Sequence, residues 1–265
     1  MKPVSLISVI RSEFLKLRTL RSTWLSFAFT AGATIGFGAL ISYVSRMQYP
    51  KMSIIERATF DPIQVSLVGT LFAQFAVGVI GALLITSEFA SGSIRTTLAA
   101  VPSRARIFVA KAAVLKISVL VVGMASTFSA FLVGQAVMNG SGLPVASLAD
   151  GATLRAVCLS GLYLVLLSLI GFGLGLIIRQ TAGTISAFVS ILLVLPLITL
   201  LLPSAWRDAI LKFLPSSLGR AMMSNSTVTA DGMHIFTPWV ATGVLISYVL
   251  VLTGVGAYLF SKRDV

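Results

Sequence analysis

Two short segments hold the clusters of charged side chains that could do chemistry in this sequence. One spans residues 88–111 and holds Glu88, Arg95, Arg104, Arg106 and Lys111. The other lies near the N-terminus and holds Arg11, Glu13, Lys16 and Arg18. These are carboxylates, guanidiniums and ammoniums with no nucleophile–base pair beside them, so the chemistry they support is pairing, orientation and docking. Exposed pairs between Glu88 and nearby cations contribute only ~0–1 kcal/mol, which favours orientation or docking over stability. The single histidine, His234, has only Asp231 near it and reads as a structural or surface group. The single cysteine, Cys158, lies in an apolar stretch far from His234, so neither an intramolecular disulfide nor a metal site is expected.

What must position these charges is a series of apolar segments. Six long stretches carry no charge at all: residues 24–45, 63–87, 117–138, 156–178, 184–202 and 235–261. Each is about the ~20 residues that an α-helix needs to cross ~30 Å of hydrocarbon. The chain is 57% hydrophobic and 11% charged, with a mean hydropathy of +0.99, whereas soluble domains carry about 25% charged residues. The stretches do not alternate polar with apolar residues, which excludes a membrane β-barrel. The expected fold is therefore an all-α polytopic membrane protein with six transmembrane helices. The 20 Lys and Arg residues divide 13 to 7 between alternate segments, which places both termini in the cytoplasm. That asymmetry explains the net charge of +12 better than nucleic-acid binding does. The N-terminus is not expected to be a cleavable signal peptide, because its charged stretch is too long.

The chain reads as one membrane domain over 1–265. Residues 1–23 form an amphipathic interfacial helix. Leu6, Ile7, Ile10, Phe14 and Leu17 make its apolar face, and Glu13, Lys16 and Arg18 lie mostly elsewhere. This helix can anchor on the membrane or pack on a cytoplasmic partner. Residues 88–111 form a cytoplasmic coupling loop. Gly92 permits a sharp turn, Ser93 can cap a short helix through Leu98, Pro102 ends it, and Ser103 can cap the climb into the third span. Asp61-Pro62 marks a helix start after the first outer loop. The fourth loop, 179–183, is so short that the fourth and fifth spans must be antiparallel neighbours. Residues 203–234 carry two half-apolar short helices split at Pro215, the second capped by Ser216-Ser217. Such helices suit a segment that re-enters the outer face of the membrane.

Inside the spans, small residues recur four apart at Gly32/Gly36, Gly78/Ala82 and Gly171/Gly175, allowing close helix approach within or between subunits. Gln64, Gln74 and Gln135 can line a path or bond a neighbouring helix. Phe213, Met222 and Met223 can form an adaptable apolar outer gate, or simply pack.

The loop string Glu88, Gly92-Ser93, Pro102-Ser103-Arg104 and Lys111 resembles, in order and spacing, the permease subunits of type-2 ATP-binding-cassette (ABC) exporters. The segments Ser12-Glu13-Phe14-Leu15-Lys16-Leu17-Arg18 and Arg21-Ser22-Thr23-Trp24 are similar to the interfacial helix of actinobacterial-type members. Phe260-Ser261-Lys262-Arg263-Asp264 is similar to the family's tail, and 203–234 to its re-entrant helices. The resemblance implies a permease half that dimerises, as a homo- or heterodimer, and rides on two copies of a soluble ABC ATPase. It implies ATPase-coupling roles for Glu88, Gly92, Ser93, Ile94, Arg95, Pro102, Arg104 and Lys111, interfacial-helix roles for Glu13, Lys16 and Arg18, and an outer gate at Phe213, Met222 and Met223. The sequence holds no Gly-x-x-x-x-Gly-Lys-Ser/Thr loop to cradle phosphates. ATP and Mg are thus expected on the partner, this chain not being an enzyme by itself. The other expected partners are membrane lipids, with no nucleic acid, and the site is the cell membrane. An amphiphilic cargo (a drug, peptide antibiotic or lipid-like molecule) moved outward is expected, since no charge lies within the spans. A membrane anchor or sensor, or an ATP-independent secondary transporter, is the alternative.

Overall fold

Ser5 accepts the amide of Ser8 and starts α1 (Leu6–Thr19). Leu20 alone, in extended backbone, separates it from α2 (Arg21–Gln48), the first span. The chain is described here by a computed structural model covering residues 5–101, 103–140, 142–224 and 235–263. After α2 a short outer helix, α3 (Ile54–Ala58), is closed by a capping box between Ser53 and Glu56. Asp61 caps α4 (Pro62–Leu67), accepting from the amides of Ile63 and Gln64, as its place before Pro62 implied.

The second span is not continuous from residue 63. It breaks at Val68-Gly69 and resumes as α5 (Thr70–Ser91). The break lies where Gly69 presses on the backbone of Ala33 and Thr34 in α2, an approach that leaves no room for a Cβ. Gly92 then takes a left-handed conformation, φ 71°, and turns the chain into α6 (Ser93–Ala100). Ser93 is the first residue of that helix rather than its cap. Its hydroxyl shares a 2.8 Å hydrogen bond with that of Ser91. Pro102 lies outside the described residues, as do Asp231, His234 and Asp264. The third span, α7 (Arg104–Met138), starts at Ser103, whose backbone is extended but whose hydroxyl makes no capping bond.

The fourth span, α8 (Gly151–Ile178), ends at Arg179, itself left-handed at φ 60°. This abrupt corner leads directly into α9 (Thr181–Val189), confirming the antiparallel hairpin. The fifth span continues through a π-helical turn, Ser190–Val194, into α10 (Leu195–Thr199). Pro196 accounts for the turn: it has no amide to donate and its ring crowds the carbonyl four residues back, which a wider turn relieves. Two short helices follow, α11 (Ser204–Leu211) and α12 (Pro215–Met223). Pro215 occupies the first turn of α12, and Leu214, not Ser216-Ser217, holds the capping position. The sixth span is α13 (Pro238–Lys262).

Six helices are thus long and apolar enough to cross a membrane, and no strand occurs among the described residues. This is an all-α polytopic membrane protein. Six crossings put both ends of the described chain on one side, which the Lys/Arg excess marks as cytoplasmic. The fourth span is the axis of the bundle: 78% of its most apolar stretch is buried, against 17% for the fifth. It packs on α5 through the paired glycines, where a Cβ on Gly171 would strike the backbone of Gly78 and one on Gly81 the carbonyl of Ser168. Gly32 and Gly36 instead face open space.

α12 folds inward. Leu218, Met222 and Met223 are buried, and Gly219 lies against the ring of Tyr163. Tyr163 is bonded to Gln74, one turn below the start of α5, so α12 packs into the outer end of the bundle.

Candidate functional site

The cytoplasmic end of the bundle holds a closed ring of four charges. α1 supplies Glu13 and Lys16, one turn apart. α5 supplies Glu88 near its end, and α7 supplies Lys111 two turns in. The Lys111 ammonium donates to Glu13 Oε2 at 2.6 Å and to Glu88 Oε1 at 2.7 Å. The Lys16 ammonium donates to Glu13 Oε1 at 2.8 Å and Glu88 Oε1 at 3.0 Å. Each cation therefore bridges both anions, and the ring is electrically neutral.

The ring is buried. Glu13 and Lys111 are each 1% exposed and Glu88 9%. Glu88 therefore does not lie on an exposed edge with arginine partners; it pairs with the two lysines inside the bundle. Glu13 likewise is not on the wet side of α1. It sits between Val9 and Leu17 on the face that packs, while Leu6, Ile7 and Phe14 of the expected apolar face are exposed. The reason is geometric: Val9, Glu13 and Leu17 are four apart and share one stripe. Burial raises the Glu13 pKa, but the Lys111 charge and hydrogen bonds from Lys111 and Lys16 outweigh it and hold the carboxyl below its ordinary range. For Lys16, burial lowers the pKa, but the bonds to Glu13 and Glu88 and their charges outweigh it and leave it above the ordinary lysine value.

The ring reaches α6. The Thr97 hydroxyl of α6 lies 3.4 Å from Lys16 Nζ. Ile94, 1% exposed, anchors α6 to the bundle, while Arg95 is exposed. Four residues expected in two separate groups, Glu13 and Lys16 on one side and Glu88 and Lys111 on the other, thus form one assembly that joins α1, α5 and α7 and touches α6.

Other expected residues lie elsewhere. Arg104 donates to the carbonyls of Phe260 at 2.7 Å and Arg263 at 2.8 Å, closing the end of the last span. Phe260 is 1% exposed and stacks edge-on with Phe89. The tail residues thus have a structural task. Arg18 is exposed, and its carbonyl rather than its guanidinium is used, accepting the Trp24 indole at 2.8 Å. The three gate residues do not come together. Met222 and Met223 are core residues, the latter against Thr70. Phe213 is half exposed, stacks on Phe236 and lines an apolar cavity of about 730 Å³ between the fifth and sixth spans.

Two of the three glutamines serve the protein itself. Gln74 accepts from the Tyr163 hydroxyl. Gln135 donates to Pro62 and Ser66 and accepts the amide of Ala146, pinning the third loop. Gln64 lines a groove beside Arg220. Thr97, Tyr163 and Arg220 were not singled out from sequence. A lone tyrosine hydroxyl or arginine among apolar residues was the available signal.

Residues 9–154 match the family described as ABC-2 family transporter protein. The matched span runs from α1 into α8 and contains all four ring charges. A search of curated proteins finds no match.

Proposed function

The chain belongs to the ABC-2 family of transporter proteins, and from that membership and the charge ring we infer an ATP-driven export half. Membership makes it a multi-pass cell-membrane permease subunit of an ABC transporter. The finer reading is that two soluble ATPase subunits bind ATP and Mg, and that two permease copies, identical or not, carry an amphiphilic cargo outward.

The observation that carries this is the ring Glu13–Lys111–Glu88–Lys16, with Thr97 beside it. A push on α6 or α1 from below meets a rigid ionic joint rather than a hinge. Buried ion pairs are costly to break one partner at a time, by about 3–5 kcal/mol, so force at either helix is passed to α5 and α7. Arg95, exposed on α6, offers a contact for an acidic patch on the ATPase. The largely uncovered fifth span and the open Gly32/Gly36 face of α2 suit a second permease copy. Exposed apolar side chains such as Leu197, Leu200 and Leu201 suit lipid or that copy.

The test is affinity purification from native membranes in mild detergent, after crosslinking, followed by reconstitution. A co-purifying ATPase with a phosphate-binding loop is expected. With Thr97→Val, ATP hydrolysis should persist while ATP-dependent transport falls. A chain that purifies alone after crosslinking in several detergents would overturn the reading.

A further inference from the structure

A second charged place lies on the opposite side of the bundle from the ring. Arg220 of α12 is exposed and lines a groove of about 240 Å³ with Gln64, Ile41, Val68 and Leu71. The groove is walled by α2, the α4–α5 corner and α12. Among the described residues every ion pair lies elsewhere, and no carboxylate meets this guanidinium.

Its depth follows from α5, which is 22 residues long, or ~33 Å at ~1.5 Å per residue. That is close to the thickness of the hydrocarbon core. The α4–α5 corner beside Arg220 therefore sits at the outer boundary between acyl chains and headgroups. A guanidinium is always charged, and its planar fork suits two phosphate oxygens at once. Beside isoleucine, valine and leucine side chains at that level, it is placed to meet a phosphate at the membrane interface.

We propose that this groove binds the phosphate of an acidic phospholipid from the outer leaflet. Arg220 holds the phosphate, the Gln64 amide adds a donor, and the acyl chains run out along Ile41, Val68 and Leu71. The volume supports a headgroup rather than a whole small molecule, since pockets for the latter span ~300–1,000 Å³. The proposal stands apart from the transport reading and needs no ATPase.

The purified chain in neutral detergent is offered phosphatidylglycerol or phosphatidylcholine, and retained lipid is read by native mass spectrometry. Both lipids carry the phosphate, but the choline cation of phosphatidylcholine offsets its charge at the guanidinium, so retention of phosphatidylglycerol should exceed that of phosphatidylcholine by about tenfold. Arg220→Gln should abolish the preference, and Arg220→Lys should keep part of it. Equal retention of the two lipids, or an unchanged preference in Arg220→Gln, would overturn the proposal. Excess inorganic phosphate should fail to displace the lipid; full displacement would show a bare anion site and overturn the lipid assignment. Should Arg220→Gln not fold, Val68→Trp fills the groove while leaving the charge, and unchanged retention there would likewise overturn it.

Discussion

Removing Lys111 puts the charge ring to its hardest trial. Lys111→Met leaves Glu13 and Glu88 facing one half-exposed lysine. The side chains of Glu13 and Lys111 are 2% and 1% exposed and 2.6 Å apart at their polar atoms, so solvent screens them little. Breaking one partner of such a pair should destabilise the fold by about 3–5 kcal/mol. Glu13→Gln alone leaves Lys111 its bond to Glu88 and should cost less, about 1–3 kcal/mol. Combining the two removes both charges of the closest pair and restores neutrality between Lys16 and Glu88. The double variant should therefore be more stable than the sum of the single losses by about 2 kcal/mol, within the range seen for residues in contact. The assay is a double-mutant cycle on detergent-solubilised protein, unfolded by titration with a denaturing detergent. Single losses that add to within about 0.5 kcal/mol would mean that the two groups are not coupled, and the ionic joint would fall with them.

The same ring fixes a dependence on pH. The Glu13 carboxyl lies below its ordinary value of 4.5 when folded, so its stabilisation is present above that value and lost as pH falls through the folded pKa. Lys16 lies above its ordinary 10.5, so its contribution is present below that value and lost as pH rises through the folded pKa; thermal melts of wild type against Glu13→Gln across the acid limb should converge. In the core, Gly171→Ala would drive a Cβ into the backbone of Gly78 and should cost about 2–3 kcal/mol. Gly32→Ala meets nothing and should leave a single copy as stable or raise it by up to ~1 kcal/mol, a contrast that denaturation of the two variants checks.

Long charge-free runs are a strong signal, and the six spans and the tight fourth loop between two of them were legible from them. What was not legible was which face of a helix would find a neighbour. Glu13 looked wet because it is charged, yet its four-residue spacing to Val9 and Leu17 already set it on a packing stripe. Glu88 had arginines close in sequence and took lysines close in space, because pairing is decided by where α1 and α7 arrive rather than by loop order. The break at Val68-Gly69 could not be read from a run of apolar residues; it depends on α2 pressing against one glycine. The π-helical turn had a visible cause in Pro196, but helix-breaking and helix-widening look alike in a sequence. Arg104 read as a docking group and serves as a clasp on the last span, since carbonyls at a helix end leave no mark in composition.

Glu13 and Lys111 are 98 residues apart in the chain. A ribosome adding ~5–20 residues per second makes Glu13 roughly 5–20 s before its buried counter-ion exists. During that interval Glu13 has Lys16 one turn away and water around it, so the nascent N-terminal helix can wait at the membrane surface without penalty. The arrival of the third span then both supplies the missing cation and seals the pocket. A chain stalled before Lys111 therefore keeps a hydrated carboxylate where the finished protein has a dry one.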